Sequence, residues 1–257
     1  MADARPSPRR DPRGAGWIAL AALAVLLALG TWQLERRAWK AAVIAGLDHQ
    51  LALPPASLGE VLAGDNGAAY RGVEYRPVRV TGQFRHDLEL YLAPRTYRGQ
   101  PGFHVVTPLE LDGGPTGIDA VLVDRGWVPA DRQAPASRAA GQAAGAVTVT
   151  GIARRPVKPS WFTPDNRPER NQWFWADVPA MAAELSGRAG IEQVAPLVIE
   201  AGPGANPGGL PIGGQTRVAL PNNHLQYAVT WYSLAATLAV IYLIWRRRPG
   251  RTPSPVE

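Results

Sequence analysis

Two stretches without a charged residue, 17–34 (WIALAALAVLLALGTWQL) and 225–245 (LQYAVTWYSLAATLAVIYLIW), bracket the chain and decide most of what it can become. As helices rising about 1.5 Å per residue they reach ~27 Å and ~31 Å, against a bilayer core of about 30 Å, so each is long enough to span. Lys and Arg resist translocation, and Arg5, Arg9, Arg10 and Arg13 precede the first span while Arg246, Arg247, Arg248 and Arg251 follow the second. Both ends are therefore predicted to be cytoplasmic. The order is a tail over 1–16, a span over 17–34, a domain over 35–224 on the far side, a span over 225–245 and a tail over 246–257. Trp17, Trp32 and Trp245 stand near span ends, where indoles favour the interface. Gly30-Thr31-Trp32-Gln33 is no small-x-small cleavage site, so the first span reads as retained. Arg9-Arg10 runs into Asp-Pro, unlike a twin-arginine signal. With 25 Arg against 2 Lys, the composition looks like a GC-rich bacterial genome. The expected location is the bacterial inner membrane, with the main domain periplasmic and the lipid bilayer as a partner.

The net charge of +6 and pI near 10 invite a nucleic-acid reading. Counted by segment, residues 1–34 carry four Arg and two Asp, residues 246–257 carry four Arg and one Glu, and 19 basic and 18 acidic residues are left between them. The body is nearly neutral, which argues for no nucleic-acid partner. The chain has no cysteine, so disulfides, thiolate metal sites and cysteine nucleophiles are excluded. It also lacks GxSxG, GxxxxGK[ST], HExxH and GxGxxG, so it is not expected to be an enzyme.

Past Leu34 the sequence keeps strong helix formers up to Pro54, so the first span should continue as a stalk. A short helix is predicted over 57–63, where Ser57 and Glu60 have capping-box spacing. Beyond it the period changes to two: 75–84, 88–92, 103–111, 120–128 and 147–152 read as strands, with a last strand over 196–200. Turn-rich segments at 94–102, 112–117, 129–145 and 156–171 separate them. Asp177 should cap a helix that begins Val178-Pro179. The predicted fold is a membrane α-helical hairpin carrying a mainly β domain, an antiparallel sandwich or small barrel.

Several residues could carry chemistry. Asp87 and Glu89 would share one strand face, as an acid/base pair or as an ordinary solvated face. Asp124 and Arg125 beside Trp127 read as an anion site or as an ion pair at a strand end. Trp161, Trp173 and Trp175 could stack on a flat ligand or serve as core. Of four histidines, His49, His86 and His104 stand alone. His224 differs because it immediately precedes the second span, and Tyr227, Thr230, Ser233 and Thr237 follow at steps of three and four. That polar stripe should face the first span, where Ala21, Ala24, Ala28 and Thr31 permit close approach. An imidazole at the mouth of an apolar hairpin can bind haem iron, or can act as an interfacial hydrogen-bonding residue.

The motifs Gly30-Thr31-Trp32-Gln33-Leu34 with Arg37, Trp39 and Lys40, Tyr75-Arg76-Pro77-Val78 with Gly82 and Phe84, the RGWVP within 121–129, and Asn222-Asn223-His224-Leu225 with Tyr227, Ala228, Thr230 and Trp231 occur in order between two spans. As a set they resemble the Surfeit locus family of cytochrome c oxidase assembly factors. The resemblance implies haem a as transient cargo, His224 as its metal ligand, and cytochrome c oxidase subunit I as the client, with the haem a synthase as a second partner. In that reading Trp231 and Tyr227 line the cofactor beside His224; packing against the first span is the other reading of Trp231. Asp124 departs from the Asn that many members carry before RGWVP. The alternative function is a membrane scaffold that stabilises oxidase intermediates without binding haem.

Overall fold

The computed structural model describes residues 12–64, 73–115, 117–156, 159–204, 206–216 and 220–247. Arg5, Arg9, Arg10, Arg248 and Arg251, and the side chain of Arg13, all used for the inward orientation, lie outside the described residues. The chain forms two compact units, one of Met1–Gly46 with Ala219–Glu257 and one of Leu47–Val218.

The first unit holds two long helices, α1 (Pro12–Ala52), whose last residues from Leu47 onward count with the second unit, and α4 (His224–Arg247). α1 runs unbroken through the expected stalk to Ala52, because no Gly-Pro pair or capping residue interrupts it before Pro54. Both are apolar and long enough to cross a membrane, with 6% and 11% of their most apolar windows buried. Trp17 and Ile18 are 73% exposed, and Ile241 is 59% exposed. A helix that is apolar over its outer surface and covered by nothing needs an apolar medium, which sets this pair apart from the core helices of a soluble domain.

The two helices run antiparallel along a narrow seam. Along α1 the part-buried or buried positions include Gly16, Ala19, Leu23, Leu26, Gly30 and Gln33; along α4 they include His224, Ala228, Trp231, Ala235, Leu238, Tyr242 and Trp245. Both series step by threes and fours, a 3.5-residue period that holds one line of each helix toward its neighbour. The glycines make room for aromatic rings: a β-carbon at Gly30 would lie 2.9 Å from the Tyr232 ring, and one at Gly16 would lie 2.9 Å from the Tyr242 hydroxyl. Of the expected facing stripes only Thr31 reaches the other helix, through the Tyr232 hydroxyl at 3.1 Å. Ala21, Ala24 and Ala28 are exposed, and so are Tyr227, Thr230, Ser233 and Thr237. Thr230 satisfies its hydroxyl on the Gln226 carbonyl at 3.0 Å, so it needs no cover from the other helix.

The second unit is mainly β. Its strands are β1 (Ala56–Ser57), β2 (Pro77–Phe84), β3 (Leu90–Tyr97), β4 (Gln100–Leu111), β5 (Ala120–Pro129), β6 (Ala146–Arg154), β7 (Gln172–Trp173) and β8 (Val194–Ala201). The hydrogen-bonded order β2-β6-β8-β5-β4 closes on itself through a β2–β4 pairing, giving a five-stranded barrel with β1, β3 and β7 outside it. The expected small barrel is therefore present, although it is not wholly antiparallel, since β5 and β8 pair parallel. Closure turns on Gly82, which pairs with Val147 on one side and Leu111 on the other. A β-carbon there would lie 2.0 Å from the Glu110 carbonyl oxygen, so only glycine fits the corner.

Val78, Val80, Leu109, Val121, Val123, Leu197 and Ile199 fill the barrel, and Leu58 and Val61 of α2 (Leu58–Ala63) join that cluster. The α2 capping box is present: Glu60 accepts from the Ser57 N–H at 2.8 Å, and Ser57 Oγ accepts from the Glu60 N–H at 3.3 Å. On the other face Ala120, Leu122, Leu90, Leu92 and Trp173 pack on Val178, Met181 and Leu185 of α3 (Val178–Ala189), each such burial contributing roughly 1.5–3 kcal/mol. Asp177 caps α3, accepting from the Ala180 N–H at 3.2 Å. β5 is thus covered on both faces, which is why it reads as a nearly continuous apolar run. The expected loop over 94–102 is mostly strand. β3 and β4 meet in a tight turn with positive φ at Arg98 (49°) and Gly99 (81°), and Pro94 is accommodated at a register shift between Leu92 and Arg95.

Candidate functional site

At one end of the helix pair, His224 opens α4 and Gln33 lies on the facing seam of α1. His224 Nδ1 and Gln33 Oε1 are 2.7 Å apart. An amide oxygen only accepts, so Nδ1 donates, and in the neutral ring Nε2 then keeps its lone pair. No partner for Nε2 occurs among the described residues. Asn222 ties the same end by donating to the Arg37 carbonyl at 3.2 Å, and the hydroxyls of Thr31 and Tyr232 meet at 3.1 Å further along the pair. An imidazole fixed through one nitrogen and open at the other is the arrangement that metal-binding histidines adopt, with the second hydrogen bond setting ring orientation and tautomer. The donor set therefore fits one-sided ligation of a haem iron.

Of the residues expected beside it, Trp231 stands two turns on along the same seam and is half-buried. Tyr227 is 56% exposed and lies off the seam, so the structure does not bring it together with the other two against α1. In the sequence Gln33 stands out only as part of a motif; its position on the 3.5-residue series from Gly16 is the signal that marks it. The helix pair also holds an apolar cavity of about 670 Å3, lined by Leu20, Leu23, Leu238 and Tyr242 among others. It begins fourteen residues from His224, ~21 Å along the axis, so it belongs to the opposite end of the hairpin.

The other candidates lie in the β unit, and several are corrected there. Asp87 and Glu89 do not share a solvated strand face. Asp87 is exposed and ion-pairs with Arg85 at 2.9 Å, whereas Glu89 has a side chain 1% exposed. Glu89 accepts from both terminal nitrogens of Arg138, one at 3.0 Å, and from Tyr91 Oη at 3.2 Å; Arg125 is 3.8 Å away and His86 3.7 Å. Burial works to raise the Glu89 pKa, but the nearby His86, the hydrogen bonds from Arg138 and the field of both guanidiniums outweigh it, and the carboxyl ends below its usual range. Burial likewise pushes the Tyr91 hydroxyl up to about 12 and, against the pull of Glu89, lowers Arg125 to about 10.

Asp124 and Arg125 do not pair with each other, because successive side chains of β5 point to opposite faces. Asp124 takes His104 Nδ1 at 2.8 Å and the Gly126 N–H at 2.9 Å. Arg125 meets Glu89, donates to the Gly141 carbonyl and lies 4.7 Å over the Phe84 ring. The three tryptophans form no platform: Trp173 is fully buried, Trp175 is half-buried and Trp161 is 96% exposed. His49 is exposed on α1, and His86 is held by the Ala143 carbonyl at 3.0 Å.

The pattern of the SURF1 family matches residues 20–236, which takes in α1 beyond its first turns, the whole β unit and the first half of α4. The chain belongs to the SURF1 family. Among its family relatives, Surfeit locus protein 1 of Mus musculus is 38% identical over 252 residues, covering 92% of this chain and 76% of the mouse protein. Surfeit locus protein 1 of Homo sapiens is 37% identical over 268 residues, covering 98% and 83%. A SURF1-like protein of Monosiga brevicollis is 38% identical over 272 residues and covers 99% of both. The family match includes both Gln33 and His224.

Proposed function

We propose that this SURF1-family chain is a non-catalytic assembly factor for haem–copper oxidase, which binds haem a as cargo through His224 and passes it to the catalytic subunit, cytochrome c oxidase subunit I. The observation that carries the reading is the 2.7 Å contact between His224 and Gln33, which leaves Nε2 as an open ligand. Gln33 orients and tautomerises the imidazole. Trp231, on the same seam, would supply an aromatic side chain beside the ligand. His224 would supply a single nitrogen donor to the iron, a hold that a carrier can release. The farther end of each helix carries the basic tails, and on the charge rule these stay in the cytoplasm. The proposed setting is therefore a bacterial inner membrane with the β unit in the periplasm and the haem a synthase as the upstream partner.

Purification from cells able to make haem a tests this. A pigmented wild type whose colour is lost on His224→Ala but kept on His104→Ala is the expected result. His104 is a stringent control, since its Nδ1 is likewise held, by Asp124 at 2.8 Å. A colourless wild type that still supports oxidase assembly contradicts the carrier and leaves the scaffold.

A further inference from the structure

The β unit contains a cavity of about 360 Å3, within the range of small-molecule sites. Leu92, Val198, Phe174 and Trp175 supply apolar walls, and Arg95, Arg154, Arg155, Asp124 and Glu200 supply charge. The carboxylates are already engaged. Asp124 holds His104 and the Gly126 N–H. Glu200 accepts from Thr216 and lies 3.7 Å from Arg154, which also stands 3.1 Å from Glu74 and 4.2 Å over the Tyr75 ring. Arg95 is different. Its guanidinium donates to the neighbouring Pro94 carbonyl at 3.1 Å and has no carboxylate partner among the described residues. Burial, partly offset by the fields of Asp124 and Glu200, lowers its pKa from the ordinary guanidinium value. A guanidinium has five N–H donors, and at the half-buried Arg95 only this one backbone bond among the described residues uses any of them, so the rest are open to a ligand. An anion entering the cavity fills them.

The geometry points to a binding site for a small organic monocarboxylate, its carboxylate forked by Arg95 and its apolar body lying on Phe174 and Trp175. A planar carboxylate matches the guanidinium fork. A multiply charged anion matches the site less well, because Asp124 and Glu200 line the same cavity and its other two guanidiniums, Arg154 and Arg155, are already engaged. The aromatic wall is wasted on an inorganic ion. This inference is independent of the haem reading, since none of the residues involved belongs to the helix pair.

The test uses the full chain in nanodiscs, with benzoate as probe, benzamide as its neutral counterpart and inorganic phosphate as the multiply charged one. Tryptophan fluorescence and calorimetry report binding. Saturable benzoate binding with no response to benzamide or phosphate is expected, and Arg95→Gln should weaken it roughly ten- to a hundred-fold, as for a charged hydrogen-bonded pair. No saturable benzoate binding, equal binding of benzamide, tighter binding of phosphate, or an unchanged affinity in a folded Arg95→Gln variant would each overturn the assignment. The comparison of the three probes is made on wild type, so it decides the matter even if the variant does not fold.

Discussion

Replacing Glu89 by glutamine keeps the shape of the side chain and removes the charge that two buried guanidiniums share. Arg138 and Arg125 have side chains 1% and 3% exposed, and Glu89 lies against both. Removing one member of a buried ion pair leaves an uncompensated charge and costs about 3–5 kcal/mol. The unit affected has about 170 residues, for which each kcal/mol lowers Tm by roughly 2–4 °C, so the expected drop is about 6–20 °C. Near-UV circular dichroism of the solubilised chain is the assay, because Trp127 and Trp173 are buried in this unit while the two long helices dominate the far-UV signal. Adding Arg138→Met to Glu89→Gln should restore part of the loss, since removing both partners together avoids the stranded charge. A drop below about 2 °C in the single variant, on the same scale, would refute the reasoning.

Acid should expose the same network. A carboxyl held below its ordinary value contributes stability that is complete above the unfolded pKa, about 4.3 for Glu, and is lost as pH falls through the folded one. The Tm gap between wild type and Glu89→Gln should therefore narrow below about pH 4.3, and a constant gap contradicts the shift. Gly126→Ala should destabilise by about 1–3 kcal/mol from backbone strain alone. Gly126 has φ 113° and a β-carbon there would lie 1.9 Å from the Ile212 carbonyl oxygen; an unchanged denaturation midpoint argues against this. Gln33→Leu frees Nδ1 of His224, and haem titration should show affinity weaker by roughly 10- to 100-fold, the usual effect of losing a ligand's orienting partner. Unaltered affinity removes Gln33 from the site.

Local patterns carried the parts of the fold that local chemistry decides. Alternation along Val78, Val80 and Gly82, the capping box at Ser57 and Glu60, and the Asp177 cap are each written within a few residues, and each appears where expected. Partners distant in sequence were illegible. Glu89 sits in an alternating stretch that reads as half-solvated, and what buries it is Arg138, 49 residues on. The helix pair misled for another reason. Small and polar residues at steps of three and four occur on more than one face of α4, and the face in use was settled by rings on α4 seated over glycines of α1, at Gly16 and Gly30. His224 is legible from its place at the membrane edge, whereas Gln33 becomes so only once the 3.5-residue seam of α1 is known.

The most direct test of the central claim is a haem titration of the apo chain in nanodiscs, followed by absorption, with His224→Gly as the variant and imidazole as the rescuing ligand. Wild type should show a saturable spectrum of histidine-ligated haem, His224→Gly should lose it, and millimolar imidazole should bring it back by filling the space that the side chain left. A wild-type spectrum that persists in His224→Gly without imidazole contradicts the account, as does a wild type that never binds haem.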